Sequence, residues 1–232
     1  MEELSDRLDS LRIKITAAAQ RARRPATTVE LVAVSKTQPA ESVREAIEAG
    51  QLVFGENRVQ ELLAKVPLLP SVTRWHFIGH LQSNKIRKVL PLCELIHGVD
   101  STELALDIDR IAEEIGLFPR VLLEVNVAGE ATKFGFKPDV LRAEIDALLS
   151  LKRVQVEGLM TIAPLAEDPE ASRPFFRALR ELRDELSERT DTPLPTLSMG
   201  MSGDFEVAVE EGATHVRVGS ALFGARSKAG GN

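Results

Sequence analysis

The 232-residue sequence has one cysteine, Cys93, and no tyrosine. A single thiol cannot close an internal disulfide, which excludes the disulfide-stapled secreted scaffolds. Without tyrosine, no mechanism can use a phenol as acid, base or nucleophile. No apolar run approaches the roughly 18 residues of a membrane-spanning helix, so no membrane partner is expected. Positive charge is not in excess either: the net charge is -6, and neither a nucleic-acid surface nor an anionic-membrane surface is expected. The opening residues Met1-Glu2-Glu3-Leu4 carry neither the basic stretch nor the apolar core of a secretory signal, and the expected compartment is the cytoplasm. Nothing reads as a linker or low-complexity segment, so residues 1–232 are expected to form one domain.

What is present is a repeated pattern. Leu4, Leu8, Leu11 and Ile15 stand at helical spacing before Pro25, so a helix within residues 1–24 is expected to precede the first strand. Short apolar segments then alternate with amphipathic ones. Strands are expected at 31–36, 52–55, 75–79, 94–99, 121–127, 156–160, 196–199 and 215–219. Helices are expected between them, among others at 57–65, 82–90, 101–115, 138–149 and from Ser202 to near Gly212. Eight strands, mostly apolar as parallel strands covered on both sides are, point to a closed (β/α)8 TIM barrel. An open doubly wound sheet is the alternative, but its glycine-rich first turn is missing from Lys36-Thr37-Gln38-Pro39-Ala40.

In such a barrel the site lies at the C-terminal strand ends, and the polar residues there belong together. Lys36 shares its strand face with Val32 and Val34. Either it marks the exposed end of the strand, or burial against those neighbours favours the neutral amine that attacks a carbonyl to form a Schiff base. The segments Gly200-Met201-Ser202-Gly203-Asp204 and Val218-Gly219-Ser220-Ala221 follow the seventh and eighth strands. Each reads as an ordinary helix cap or as backbone N–H groups that hold a phosphate. Arg217 is either paired with a buried carboxylate such as Glu124 or a fixed cation touching the ligand. Asn57 and His80 complete the mouth. His76 and His80 lack the helical spacing of a zinc motif, so no metal is proposed. His97 and His215 read as structural histidines, and Lys133 as a surface charge or a second cation near the mouth.

Six blocks then carry a resemblance across nearly the whole chain: Leu31-Val32-Ala33-Val34-Ser35-Lys36-Thr37, Phe54-Gly55-Glu56-Asn57-Arg58-Val59-Gln60-Glu61, Trp75-His76-Phe77-Ile78-Gly79-His80-Leu81-Gln82, Gly158-Leu159-Met160-Thr161, Leu197-Ser198-Met199-Gly200-Met201-Ser202 and His215-Val216-Arg217-Val218-Gly219-Ser220. Their order and spelling resemble the YggS/PROSC family of pyridoxal 5'-phosphate homeostasis proteins. The resemblance implies a barrel of the alanine racemase N-terminal-domain type (fold type III of pyridoxal phosphate proteins), with the cofactor held on Lys36 as a Schiff base. It implies a phosphate site around Ser202, Gly219 and Ser220, and Arg217 facing the pyridine nitrogen. Asn57, His80 and Met199 complete the implied cofactor-binding set, and no catalytic residue is assigned.

The chemistry implied is that of a carrier or regulator that holds pyridoxal 5'-phosphate reversibly. It would buffer or supply the cofactor, with effects on amino acid and keto acid metabolism. Apoenzymes that use the cofactor are the implied recipients, and a monomer is the implied state. An arginine at the ring nitrogen disfavours the protonation that carbanion chemistry needs, and the tyrosine base of a racemase is missing. The alternatives are a narrow-specificity amino acid racemase or related enzyme of the same cofactor, and a Schiff-base aldolase of phosphosugars.

Overall fold

The computed structural model describes residues 3–130 and 132–224. Helix α1 (Leu4–Arg21) buries Leu4, Leu8, Leu11 and Ile15, the face that its spacing predicts. Then follow β1 (Glu30–Val34), α2 (Ala40–Glu48), β2 (Val53–Glu56), α3 (Val59–Lys65), β3 (Arg74–Phe77), α4 (Ile86–Val89), β4 (Leu95–Val99) and α5 (Thr102–Ile115). The second half continues with β5 (Arg120–Glu124), α6 (Pro138–Leu149), β6 (Gln155–Met160), α7 (Arg173–Thr190), β7 (Thr196–Ser198), α8 (Phe205–Glu210), β8 (His215–Val218) and α9 (Ser220–Phe223). All neighbouring strands pair in parallel, and β8 returns to β1 to close an eight-stranded barrel. Local chemistry sets the breaks. Ser101 accepts the amide of Leu104 at 3.2 Å to start α5, and Gly116 ends it in the left-handed region at φ 73°.

Several boundaries differ from the sequence expectation. β1 stops at Val34, two residues before Lys36, because Gln38 N–H turns back to the Ser35 carbonyl at 3.0 Å and Thr37 takes φ 63°. A strand cannot run through a left-handed residue. The segment expected as a helix at 82–90 is a 3-10 turn, Ser83–Lys85, followed by the single turn of α4. Ser202 does not open α8: it lies in the preceding turn, where Asp204 accepts the Met201 amide at 2.7 Å and the helix begins one residue later. β5 ends at Glu124, after which Val125 makes a lone bridge to Phe136.

Most apolar burial lies between strands and helices, where the α1, α5 and α7 faces meet the outward residues of the barrel. Inside the barrel, Leu95, Leu122 and Met160 form a much smaller apolar cluster. Barrel interiors are usually filled by bulky aliphatic side chains. Here three histidines take much of that space. His76, His97 and His215 are mutual neighbours, with ring centroids 5.1, 5.7 and 6.0 Å apart. Beneath them Glu30, Arg74, Glu94, Arg120 and Glu157 form a chain of ion pairs at the N-terminal strand ends, with Arg74 bridging Glu30 at 2.7 Å and Glu94 at 2.6 Å.

Candidate functional site

A cavity of about 580 Å³ opens at the C-terminal strand ends. Lys36, Asn57, His80, Ser202, Arg217, Gly219 and Ser220 line it together, although the chain separates the first from the last by most of its length. Met199 does not belong to that wall. It is fully buried in the layer between barrel and helices, because the residue after β7 alternates outward. Lys133 pairs with Glu130 at 2.6 Å and is not among the lining residues, so it behaves as a surface charge of its loop.

Lys36 stands past the end of β1, half-buried in the cavity wall above Val34. Beside it, past the ends of β7 and β8, two backbone amides converge on one hydroxyl: Gly219 and Ala221 both donate to Ser202 Oγ at 3.3 Å. Gly203 beside them would point a Cβ into open space, and Gly200 (φ 91°) allows Phe205 and Ala208 to pack where a Cβ would collide at 2.5 Å. Amides that converge at long range on one hydroxyl, with a tight glycine turn beside them, form a cradle that a phosphate dianion can take over.

Arg217 is 5% exposed and crosses the barrel interior, donating to Ser198 Oγ at 2.5 Å and to the Thr161 carbonyl at 2.9 Å. Burial pulls its pKa down to about 10 against the attraction of Glu124 and Asp204, so it remains a cation at neutral pH. Behind it a chain of contacts continues: Ser198 Oγ is 2.8 Å from His97 Nδ1, and His97 Nε2 is 3.0 Å from His76 Nδ1. His76 Nε2 has no partner among the described residues. Burial holds His97 well below the ordinary imidazole range and His76 at about 3, so the chain is neutral throughout.

Glu124 lies on the same wall, 9% exposed, without an ion pair among the described residues. Burial and the charge of Asp100 raise its carboxyl to about 7, outweighing the pull of Arg217 and His80. Arg217 lines the cavity and makes no ion pair with Glu124 among the described residues, though each feels the other's charge. His80 donates Nδ1–H to Asp100 at 2.8 Å and stacks on Phe134, centroids 4.1 Å apart. Asn57 Oδ1 is buried without a partner among the described residues. An orphaned amide oxygen, an amine, an arginine and two converging backbone amides around one cavity fit a phosphorylated aromatic aldehyde. Ile78, Phe134 and Ile162 also line the wall but escape sequence reading, because they lie in the segments that follow β3, β5 and β6 and carry no chemistry that would mark them.

With Lys36 at the mouth of this topology, the class is the alanine racemase N-terminal domain, whose family matches residues 7–227. Among curated relatives, the pyridoxal phosphate homeostasis protein of Aquifex aeolicus is 48% identical over 222 residues, covering 95% of this chain and 97% of that one. The human protein of the same name is 40% identical over 216 residues, covering 87% and 78%. PipY of Synechococcus elongatus, solved with PLP bound, superposes with a TM-score of 0.83 at 43% identity over 96% of this chain and 100% of PipY. This chain belongs to the family of pyridoxal phosphate homeostasis proteins. The alanine racemase of Clostridium difficile shares the fold alone, with a TM-score of 0.74 at 15% identity, and the barrel spans 57% of it.

Proposed function

We propose that this protein binds pyridoxal 5'-phosphate reversibly as a Schiff base with Lys36 and buffers or supplies the cofactor, rather than turning over a substrate. The observation that carries the reading is the joint placement of Lys36, the Ser202 and Gly219 cradle and the buried Arg217 around one cavity. When bound, the cofactor supplies an aldehyde that accepts an amine and a ring that delocalises negative charge. Lys36 adds its amine to the aldehyde carbon, a C=N bond replaces C=O, and one water leaves; hydrolysis reverses the step and frees both partners. Ser202 and the amides of Gly219 and Ala221 hold the phosphate. Arg217, which can only donate, meets the ring nitrogen as an acceptor and keeps it unprotonated, which weakens the ring as an electron sink.

A narrow-specificity racemase is the second reading, and Glu124 is the observation that favours it. A carboxyl at about 7 inside the cavity is matched to general-base work at neutral pH. Solvent exchange of the α-hydrogen of amino acids decides between the two. The carrier reading expects no exchange at enzyme-like rates, on the order of one per second. Exchange at that rate, abolished in Glu124→Gln, would establish the enzyme.

The fit of the cavity has its own check. A Cβ on Gly79 would stand 2.3 Å from the Asn57 carbonyl oxygen. Gly79→Ala must therefore displace the Asn57 backbone, and the affinity for pyridoxal 5'-phosphate should fall by about tenfold or more, read by spectral titration. The same distance of approach explains why a glycine follows β3 at this point.

A further inference from the structure

Three charged residues behind the cavity wall have no place in the proposed chemistry. Glu56, at the end of β2, is fully buried, and Lys65, the last residue of α3, is 6% exposed. Glu61 lies one helical turn before Lys65. Neither these two carboxylates nor the ammonium is among the residues lining the cavity. Lys65 Nζ spends its three donors on Glu56 Oε1 (2.6 Å), Glu61 Oε2 (3.0 Å) and the carbonyl oxygen of Ser35 (2.7 Å). The carboxylates reach the same stretch of backbone. Ser35 Oγ donates to Glu56 at 2.7 Å, and the Thr37 amide donates to Glu61 at 2.6 Å.

Every one of these bonds to the main chain falls on the residue before Lys36 or the residue after it. Burial of such a cluster is costly, and burial raises the Glu56 carboxyl despite Lys65 and Ser35. Glu56 Oε2 also lacks a partner among the described residues. Buried ion pairs can often be replaced by well-packed apolar side chains without loss of stability, so stability does not account for the cluster. What it does supply is a fixed backbone at one place: Thr37 is held at φ 63°, a conformation that a non-glycine residue rarely adopts unaided.

We propose that Lys65, acting with Glu56 and Glu61, is a positioning residue for the Lys36 amine: it clamps the peptide groups on both sides of Lys36, so that the amine enters the cavity from one direction. The inference rests on the reading of Lys36 as the Schiff-base lysine and deepens it. The clamp works on the covalent step alone, because the phosphate cradle is built from other segments, the turns after β7 and β8, and none of the hydrogen bonds of Glu56, Glu61 or Lys65 given above reaches it. Loss of orientation by an ångström is enough to cost on the order of a hundredfold in such a step.

The test compares two ligands on the full chain and on two variants, Lys65→Met and Glu61→Ala. Pyridoxal 5'-phosphate reports the covalent bond through its visible Schiff-base band, and pyridoxine 5'-phosphate, an alcohol that cannot form one, reports the pocket by calorimetry. Both variants are expected to bind the aldehyde at least about tenfold more weakly. Their affinity for the alcohol should stay within about twofold of wild type. Equal losses for both ligands, or no loss for the aldehyde, overturns the proposal. Should Lys65→Met fail to fold, Glu61→Ala decides, since it keeps the Lys65–Glu56 pair and the Lys65 contact to Ser35 and removes the Glu61 contacts to Thr37 and Lys65. A wild-type protein without a visible band defeats the cofactor reading and the clamp with it. A wild-type band left unchanged in both variants defeats only the clamp.

Discussion

Lys36→Ala removes the visible Schiff-base band completely, and borohydride treatment of the variant with pyridoxal 5'-phosphate leaves no reduced adduct on any peptide. The variant still binds the cofactor, because the cradle of Ser202, Gly219 and Ala221 is held by its own hydrogen bonds and does not depend on the lysine. The remaining affinity should be weaker by about two orders of magnitude, the share contributed by the covalent bond and its orientation. Peptide mapping of the wild-type adduct is the control. An unchanged band in Lys36→Ala, or an adduct on Lys133, would move the covalent site elsewhere and end the reading of the cavity given above.

The second large effect concerns protons rather than the ligand. His76 and His215 are buried and neutral, with pKa values lowered to about 3 and about 4, chiefly by burial. In the unfolded chain both titrate near 6.5. Below that pH the unfolded state binds more protons than the folded one. Stability is therefore complete above about 6.5 and falls as pH drops towards the folded values, with each histidine costing about 2 kcal/mol by pH 5. Glu124 works in the opposite sense. Its carboxyl is raised to about 7, so the folded state takes up a proton first and gains stability as pH falls from 7 to about 4.5.

In the ligand-free wild-type protein Glu124 offsets only part of the histidine loss, about 2.5 against about 4 kcal/mol by pH 5, so stability declines towards pH 5 and more steeply below it. Glu124→Gln separates them. The variant should be more stable than wild type at pH 8, by up to about 3 kcal/mol, and equal to it near pH 4. Denaturant melts at pH 8, 6 and 4 check this. A variant with the same stability as wild type at pH 8 would mean that the carboxylate is well solvated and that Glu124 is no candidate base.

The architecture was legible because a barrel imposes the same rhythm eight times, and a repeated signal survives small errors at each boundary. The errors fall where local chemistry overrides periodicity. The apolar run before Lys36 looks like one strand, yet the left-handed Thr37 ends the ladder early. Lys36, Arg217, Ser202 and Gly219 could be read as a group because the strand-end rule gathers them without knowledge of any contact. Met199, which the resemblance had placed in the cofactor set, faces the outer core, since adjacency to a motif says nothing about which side of the sheet a residue faces.

What could not be read are the relationships made by closure. His97 meets Ser198 across 101 positions of sequence, and Lys65 meets the Ser35 carbonyl across 30. Neither residue type is unusual where it stands. His97 on β4 and Ser198 on β7 face each other only because the sheet closes into a barrel, and the pairing of β1 with β2 brings the helix after β2, and with it Lys65, to the end of β1.

The ion pairs at the N-terminal strand ends have a consequence of their own. They join β1, β3, β5 and β6 through side chains, so the strands are fastened to one another at the end of the barrel remote from the cavity. The loops at the other end are thus relieved of holding the barrel shut. They can change in length and sequence, or part to admit a ligand, while the staves beneath keep their register. Integrity and recognition occupy opposite ends of the molecule, and each is open to alteration without the consent of the other.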